Sequence, residues 1–277
     1  MSEAKIYTLF SSSKGNCTYI KHGRDEFLID CGASARAIEN ALAMVGSSLA
    51  DIKAIFITHE HSDHIRGLST VCKYFGTPVY APSASLCYID SHIACAADLR
   101  ELKSGCAVEL FDSAVCPVAT PHDALSSVGF RIRVGNEIIG YYTDIGHLSE
   151  GVLRGLAGCR RVVIESNHDI EMLKNGRYPY SLKQRILGDR GHLSNRACAS
   201  LLPHLARHGT ESFVLAHLSE ENNRPETAFR ESFVALLEKG FTVNGERITD
   251  APEPDCVGEI KELRLRVASP CGITELK

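Results

Sequence analysis

No stretch of this 277-residue chain approaches the roughly 20 consecutive apolar residues that a bilayer-spanning helix requires, so no membrane span is expected. The opening Met1-Ser2-Glu3-Ala4-Lys5 lacks the basic and apolar regions of a signal peptide, which points to a cytoplasmic protein. Cys-x-x-Cys pairs are missing too. The eleven cysteines, odd in number and spread from Cys17 to Cys271, read as reduced, mostly packed thiols. Nor is there an excess of positive charge: a net −4 gives no general attraction for nucleic acid, so a polyanion must be held by a local patch. Repeats and low-complexity tracts are absent. What remains is 44% hydrophobic and 23% charged, enough apolar material for one large domain or two small ones, with one favoured.

The chemistry is concentrated where the apolar, strand-like run Ala54-Ile55-Phe56-Ile57 passes into Thr58-His59-Glu60-His61-Ser62-Asp63-His64, with three histidines and an aspartate in six positions. Imidazole and carboxylate are the side chains that bind borderline divalent cations such as Zn²⁺ or Mn²⁺. Alternation along an extended chain sends His59 and His61 the same way, and Asp63 and His64 can reach a second ion beside the first. The alternative is a solvated histidine-rich turn, and the clustering argues against it.

Strands and helices alternate along the chain. Tyr7 to Phe10, Cys17 to Ile20 and Glu26 to Ile29 read as an opening meander around the turn-rich Ser11 to Asn16. Ile38, Ala41, Leu42 and Val45 have helical spacing from Ala35 to near Gly46. Later strands are expected at Val128 to Val134, Ile138 to Tyr142, Arg161 to Ile164 and Ser212 to Ala216, and helices over about 195–208 and 225–239, the second opening with Pro225. A hydrolase domain over 1–250 is expected, followed by an unassigned extension, 251–277, that begins with a loop from Asp250 to Asp255 and holds one short strand.

Ligand-type residues recur directly after these strands: His122 after Val115 to Ala119, Asp144 after Tyr142, and His217 after Ala216. Open α/β sheets carry their sites at such strand ends. His59, His61 and His122 suit one ion and Asp63, His64 and His217 another, with Asp144 bridging them. Two ions about 3.5–4 Å apart deprotonate a water between them and draw charge from the group attacked, so the chemistry implied is hydrolysis.

His59-x-His61-x-Asp63-His64, followed in order by His122, Asp144 and His217, resembles the metallo-β-lactamase superfamily of dinuclear hydrolases. The resemblance implies an α/β fold, the αββα sandwich of two mixed sheets flanked by helices, with two divalent ions, zinc or manganese, at one edge. It also marks Asp30 as the early aspartate that buttresses the histidine loop. Substrate is not fixed by the fold. From Lys174 to Arg196 there are six cations, Lys174, Arg177, Lys183, Arg185, Arg190 and Arg196, against the single acid Asp189. Beside a metal pair and a helix start, that patch suits a polyanion, although a solvated basic face has the same composition.

A phosphodiester needs a proton for its departing alkoxide. His192, in Gly191-His192-Leu193-Ser194-Asn195, is either a helix-capping residue or that acid. In the superfamily's nucleases, including the transfer-RNA 3′-processing enzymes, a histidine in such a setting is the acid and a glutamate after an earlier strand supports it; the matching positions here are His192 and Glu165. His168 is either a second supporting residue of the site or a structural one.

Nearly the whole chain to about residue 240 resembles the YycJ/WalJ-type bacterial metallohydrolases, described as 5′-to-3′ double-strand DNA exonucleases. The resemblance is carried by Ser13 to Cys17, the histidine loop, His122-Asp123-Ala124, Glu165 to Leu173, Gly191 to Asn195 and His217 to Asn223. The long signatures of β-CASP ribonucleases are missing. The resemblance implies attack by a metal-bridging hydroxide on a DNA phosphorus, with Asp63, His192 and Glu165 as catalytic residues. Lys183, Arg185, Ser194, Asn195 and Arg196 would contact the strand. A small-molecule phosphodiesterase of the cyclic-nucleotide type, and a signalling accessory with a purely structural metal site, are the other readings.

Overall fold

In the run Phe27-Leu28-Ile29 every side chain is apolar, yet successive strand residues face opposite ways, so this strand must be covered on both faces. That is how the chain folds. The computed structural model describes residues 4–93, 98–249, 254, 256 and 262–277. Phe27 and Ile29 meet a core between two sheets, while Leu28 meets a layer of helices outside.

The opening meander is β1 (Lys5–Ser12), β2 (Gly15–His22) and β3 (Asp25–Ile29), antiparallel neighbours. Its first turn is tighter than the sequence suggests. Ser11 pairs with Asn16 and Ser12 with Gly15, which leaves only Ser13 and Lys14 outside the ladder. β4 (Ala54–Phe56), β5 (Val79–Pro82) and β6 (Leu99–Leu102) continue the sheet in parallel. The second sheet holds β7 (Val108–Glu109), β8 (Ser113–Ala119), β9 (Val128–Val134), β10 (Glu137–Tyr142), β11 (Arg161–Glu165), β12 (Ser212–Ala216) and β13 (Arg264–Val267). β14 (Thr274–Glu275) returns to the first sheet. The orders are β14-β1-β2-β3-β4-β5-β6 and β13-β12-β11-β10-β9-β8-β7, both mixed.

Phe27, Phe56, Phe130, Val163 and Val214 fill the space between the sheets. Outside the first sheet lie α1 (Ala35–Met44), α3 (Leu68–Phe75) and α4 (Ser83–His92), which bury Ile38, Leu42, Leu68, Val71 and Ile89; the short α2 (Ser62–Ile65) precedes α3. Outside the second lie α5 (Glu150–Leu156), α8 (Asn195–Arg207) and α9 (Pro225–Leu237). Between α5 and α8 come α6 (Ile170–Asn175) and α7 (Tyr180–Leu187). The result is the αββα sandwich. Among the described residues no helix is long and apolar enough to cross a membrane.

The segment after residue 250 is not an appendage where it is described. β13 runs parallel to β12 and β14 antiparallel to β1, so the end of the chain contributes one strand to each sheet. Of the loop expected from Asp250 to Asp255, all but Pro254 lies outside the described residues.

β3 and β4 of one sheet, and β8, β10, β11 and β12 of the other, finish at a common edge. The edge is laced by hydrogen bonds from Val128 N to Thr58 O at 3.1 Å and from His217 N to the Ser11 hydroxyl at 2.8 Å.

Candidate metal centre

Asp30 and His217 directly follow β3 and β12, Asp144 comes two residues after the end of β10, and all three have left-handed backbones, with φ of 61°, 55° and 57° respectively. Such a conformation costs a non-glycine residue about 1–3 kcal/mol, and it persists where the surroundings over-determine it. Here it breaks three strands at the same edge and swings each side chain into the gap between the sheets. His59 follows β4, His61 caps α2, and α2 itself carries Asp63 and His64. Gly32 runs beneath this turn: a Cβ there would overlap the carbonyl oxygen of Asp63.

The seven expected ligands meet. Donor atoms of His59, His61 and His122 lie within 4.8 Å of one another, as do those of Asp63, His64 and His217, and those of His59, His64 and Asp144. Asp144 lies between the two histidine groups, its oxygens 3.4 Å from His64 Nε2 and 3.7 Å from His122 Nε2.

Four imidazoles are oriented in the same manner. Nδ1 of His64 donates to Asp30 Oδ2 at 2.8 Å, that of His122 to Gly191 O at 3.1 Å and that of His217 to Glu165 Oε1 at 2.9 Å; that of His59 lies 3.0 Å from Thr58 Oγ1. Each ring therefore turns Nε2 toward the cage, where that of His64 has Asn16 Nδ2 at 3.2 Å. Nε2 of His59, His122 and His217, with Asp144 Oδ2, is buried without a hydrogen-bond partner among the described residues. Buried polar atoms are rarely left so, and imidazoles held from behind by carboxylate or carbonyl are the usual arrangement around a metal. The donor set fits divalent cations.

The electrostatics agree. Burial opposes charge on His217, but Asp144, Asp63 and Glu165 outweigh it and raise its pKa to about 10. Burial likewise opposes ionisation of Asp63, yet His64 and His217 hold its carboxyl far below the usual range. This part of the cage offers a negative field to a cation, while burial, with neighbouring imidazoles, lowers the pKa of His59 and His122 and keeps them neutral as ligands.

Next to the cage stands Glu165, the fully buried end of β11. Its Oε1 accepts from His192 Nδ1 at 2.8 Å as well as from His217, and its Oε2 accepts from the backbone of Ile145 at 2.8 Å and of Leu193 at 3.0 Å. The His192 ring lies 5.1 Å from that of His122 and 5.3 Å from that of His217, with the side chain 22% exposed. Its Nε2 remains for a ligand. His168 is buried with neither ring nitrogen partnered among the described residues, and burial lowers its pKa to about 4.

The residues expected to contact substrate divide. Asn195 is a correction: it is fully buried and bonded to Ser166 at 2.7 Å and to Asn223 at 2.8 Å, so it anchors the start of α8 and no strand can reach it. The Ser194 hydroxyl caps α8 by accepting from Ala197 N at 3.2 Å. Arg185 pairs with Asp123 at the rim, Lys183 donates to Lys174 O at 2.7 Å, and Arg196 is exposed on α8.

Three residues of the site were not singled out from the sequence. Glu60 accepts from the Ser85 hydroxyl and from Leu125 N, both at 2.7 Å, and so ties the loop bearing His122 to the loop bearing His59. Arg190, read only as a cation, donates twice to His122 O, at 2.9 and 2.7 Å. Asn16 lies 3.3 Å from Asp63 Oδ2. Only Glu60 carried a signal, because alternation points it away from the histidines on either side.

A model of the beta-lactamase superfamily domain matches residues 25–218. The chain belongs to the metallo-β-lactamase superfamily. Within the superfamily it falls in the YycJ/WalJ-type branch. It is 35% identical over 237 residues to exodeoxyribonuclease YycJ of Bacillus anthracis, covering 85% of this chain and 90% of the relative. To exodeoxyribonuclease WalJ of Streptococcus pneumoniae it is 33% identical over 268 residues, covering 94% and 98%. The metallo-β-lactamase fold protein YhfI from Bacillus subtilis superposes with a TM-score of 0.70 at 13% identity, over 99% of this chain and all of that one. This metallo-β-lactamase superfamily member is a metal-dependent hydrolase, and its clustered histidines and aspartates are the place for divalent ions.

Proposed function

We propose that the chain is a dinuclear phosphodiesterase that degrades double-stranded DNA from its 5′ end. The hydrogen bond from His192 Nδ1 to Glu165, beside the ligand cage, carries this reading. A departing alkoxide needs a proton, and an imidazole held by a buried carboxylate supplies one. The names of the YycJ and WalJ relatives support DNA as the polymer.

His59, His61 and His122 would hold one divalent ion and Asp63, His64 and His217 the other, with Asp144 shared between them. Bound there, the ions supply a water that ionises near neutral pH and positive charge opposite the nonbridging phosphate oxygens. Asp30 and Glu165 keep His64 and His217 in the tautomer that presents Nε2. Burial opposes charge on His192, but Glu165 and Asp144 raise its pKa, so its Nε2 retains a proton to deliver. As the oxygen of water bonds to phosphorus, the bond to O3′ breaks and O3′ takes that proton. Lys183, Arg185 and Arg196, on α7 and α8, would guide the incoming strand.

A time course on duplexes labelled at either the 5′ or the 3′ end, run with Mn²⁺ and with Zn²⁺, tests the proposal. Early release of 5′-labelled mononucleotide is expected. Retention of both labels, or faster hydrolysis of cyclic nucleotides offered in competition, would overturn it.

A further inference from the structure

A pocket of about 340 Å³ opens beside His192 and is lined by none of the seven candidate ligands. His192 borders both spaces: its ring lies beside those of His122 and His217, and it also lines the pocket. The apolar walls include Leu148, Ile170 and Leu187, and no lysine, arginine, aspartate or glutamate contributes. Such a lining suits the uncharged base of a nucleotide, with its phosphate left outside the apolar walls. The polar side chains are Ser194, whose hydroxyl caps α8, and three imidazoles, above all His168, which is buried, lines the pocket and has both ring nitrogens unpartnered among the described residues. A neutral imidazole offers one donor and one acceptor, the complement of a heterocyclic edge. His147 is a second such group: its Nδ1 is bonded to Asp189 O at 2.8 Å, which leaves Nε2.

We infer that this pocket receives the single terminal nucleotide that departs in each cleavage, its base between the apolar walls and its edge on His168. The inference rests on the phosphodiesterase reading, which places the leaving O3′ at His192. Because His192 borders both cage and pocket, the group that leaves from that oxygen has the pocket beside it. A volume near the lower end of small-ligand sites, roughly 300–1,000 Å³, admits one nucleotide and not two. The site thus measures its product: one water adds to phosphorus, which stays on the shortened strand as its new 5′-phosphate, one P–O3′ bond breaks, and the terminal nucleotide, already 5′-phosphorylated, leaves as one nucleoside 5′-monophosphate.

The test is calorimetric titration of deoxyadenosine 5′-monophosphate into the metal-loaded protein, with His168→Ala and Ala197→Phe alongside the parent chain. Ala197→Phe adds bulk to a partly buried helical wall and leaves His168 in place, so it covers the case in which His168→Ala fails to fold. At least about tenfold weaker nucleotide binding is expected in both variants, with inorganic phosphate bound equally by all three proteins. Their kcat/KM should fall at least about tenfold more on duplex DNA than on bis(p-nitrophenyl) phosphate, whose leaving group needs neither proton nor base contact. Nucleotide binding that is undetectable in the parent chain, or unchanged in the variants, overturns the pocket even if the reporter is hydrolysed. Reporter hydrolysis that is absent while nucleotide binding is lost in both variants overturns the phosphodiesterase reading and leaves the pocket standing.

Discussion

His192 is the residue whose chemistry separates this site from a generic metal hydrolase. Replaced by alanine, it should slow cleavage of an ordinary phosphodiester by about 10²–10⁴, the usual range for a positioned acid. A substrate with a nitrophenolate leaving group should lose far less, since that anion departs unprotonated. Equal losses on both, in paired kcat/KM measurements, would refute the acid role. The seven metal-ligand candidates were legible from the sequence because only imidazole and carboxylate serve borderline cations, and because each follows a strand. The left-handed backbones of Asp30, Asp144 and His217 were not, since they are imposed by packing across the edge. Nor was the removal of Asn195 from the surface, which depends on Ser166 and Asn223 arriving from distant segments.

Between single residues and the fold, the elements show which patterns carry information. α1 was readable from 3.6-residue periodicity and α9 from Pro225 in its first turn; in the structure Ser34 also caps α1, accepting from Ala37 N at 3.3 Å. α7 was not readable: it buries no residue, so it has no apolar face to betray it. A helix held so lightly, with Lys183 on it, suits a guiding role. Lys183→Ala should weaken DNA binding and lessen the dependence of log K on log salt by about one, which an anisotropy titration from low to high salt measures. An unchanged slope would remove Lys183 from the interface. Glu26 is the clearest link between elements. It accepts from Tyr19 at 2.7 Å and from Ser47 at 2.6 Å and pairs with Lys21, joining the β2–β3 hairpin to the loop after α1. Burial opposes its charge, but Lys21, Ser47 and Tyr19 outweigh that and depress its pKa. A depressed folded-state pKa gives stability that is present above the ordinary carboxylate value and lost as pH falls through the folded one. Glu26→Gln should therefore cost about 1–3 kcal/mol at pH 7, with the gap to the parent chain closing below about pH 4 in urea unfolding curves. A gap constant from pH 7 to pH 3 would contradict this.

At the scale of the whole molecule, the cage belongs to neither sheet. His59, His61, Asp63 and His64 follow β4 of the first, whereas His122, Asp144 and His217 follow β8, β10 and β12 of the second. The end of the chain repeats the theme, with β13 in one sheet and β14 in the other. That closure was hidden in the sequence because two short strands lie beyond a long stretch without periodicity. Cations in the cage would cross-link the two sheets and balance buried carboxylates that otherwise repel. Metal at 100 times its dissociation constant stabilises a fold by about 2.7 kcal/mol, which for a chain of this size raises Tm by roughly 5–10 °C. Chelation should lower Tm by that amount, and added Zn²⁺ or Mn²⁺ should restore it. Asp144→Ala, which removes the ligand shared by both positions, should melt at nearly the same temperature with and without chelator. If the parent chain, shown by elemental analysis to be loaded, melts identically before and after chelation, the cations do not join the sheets, and the cage carries no structural weight.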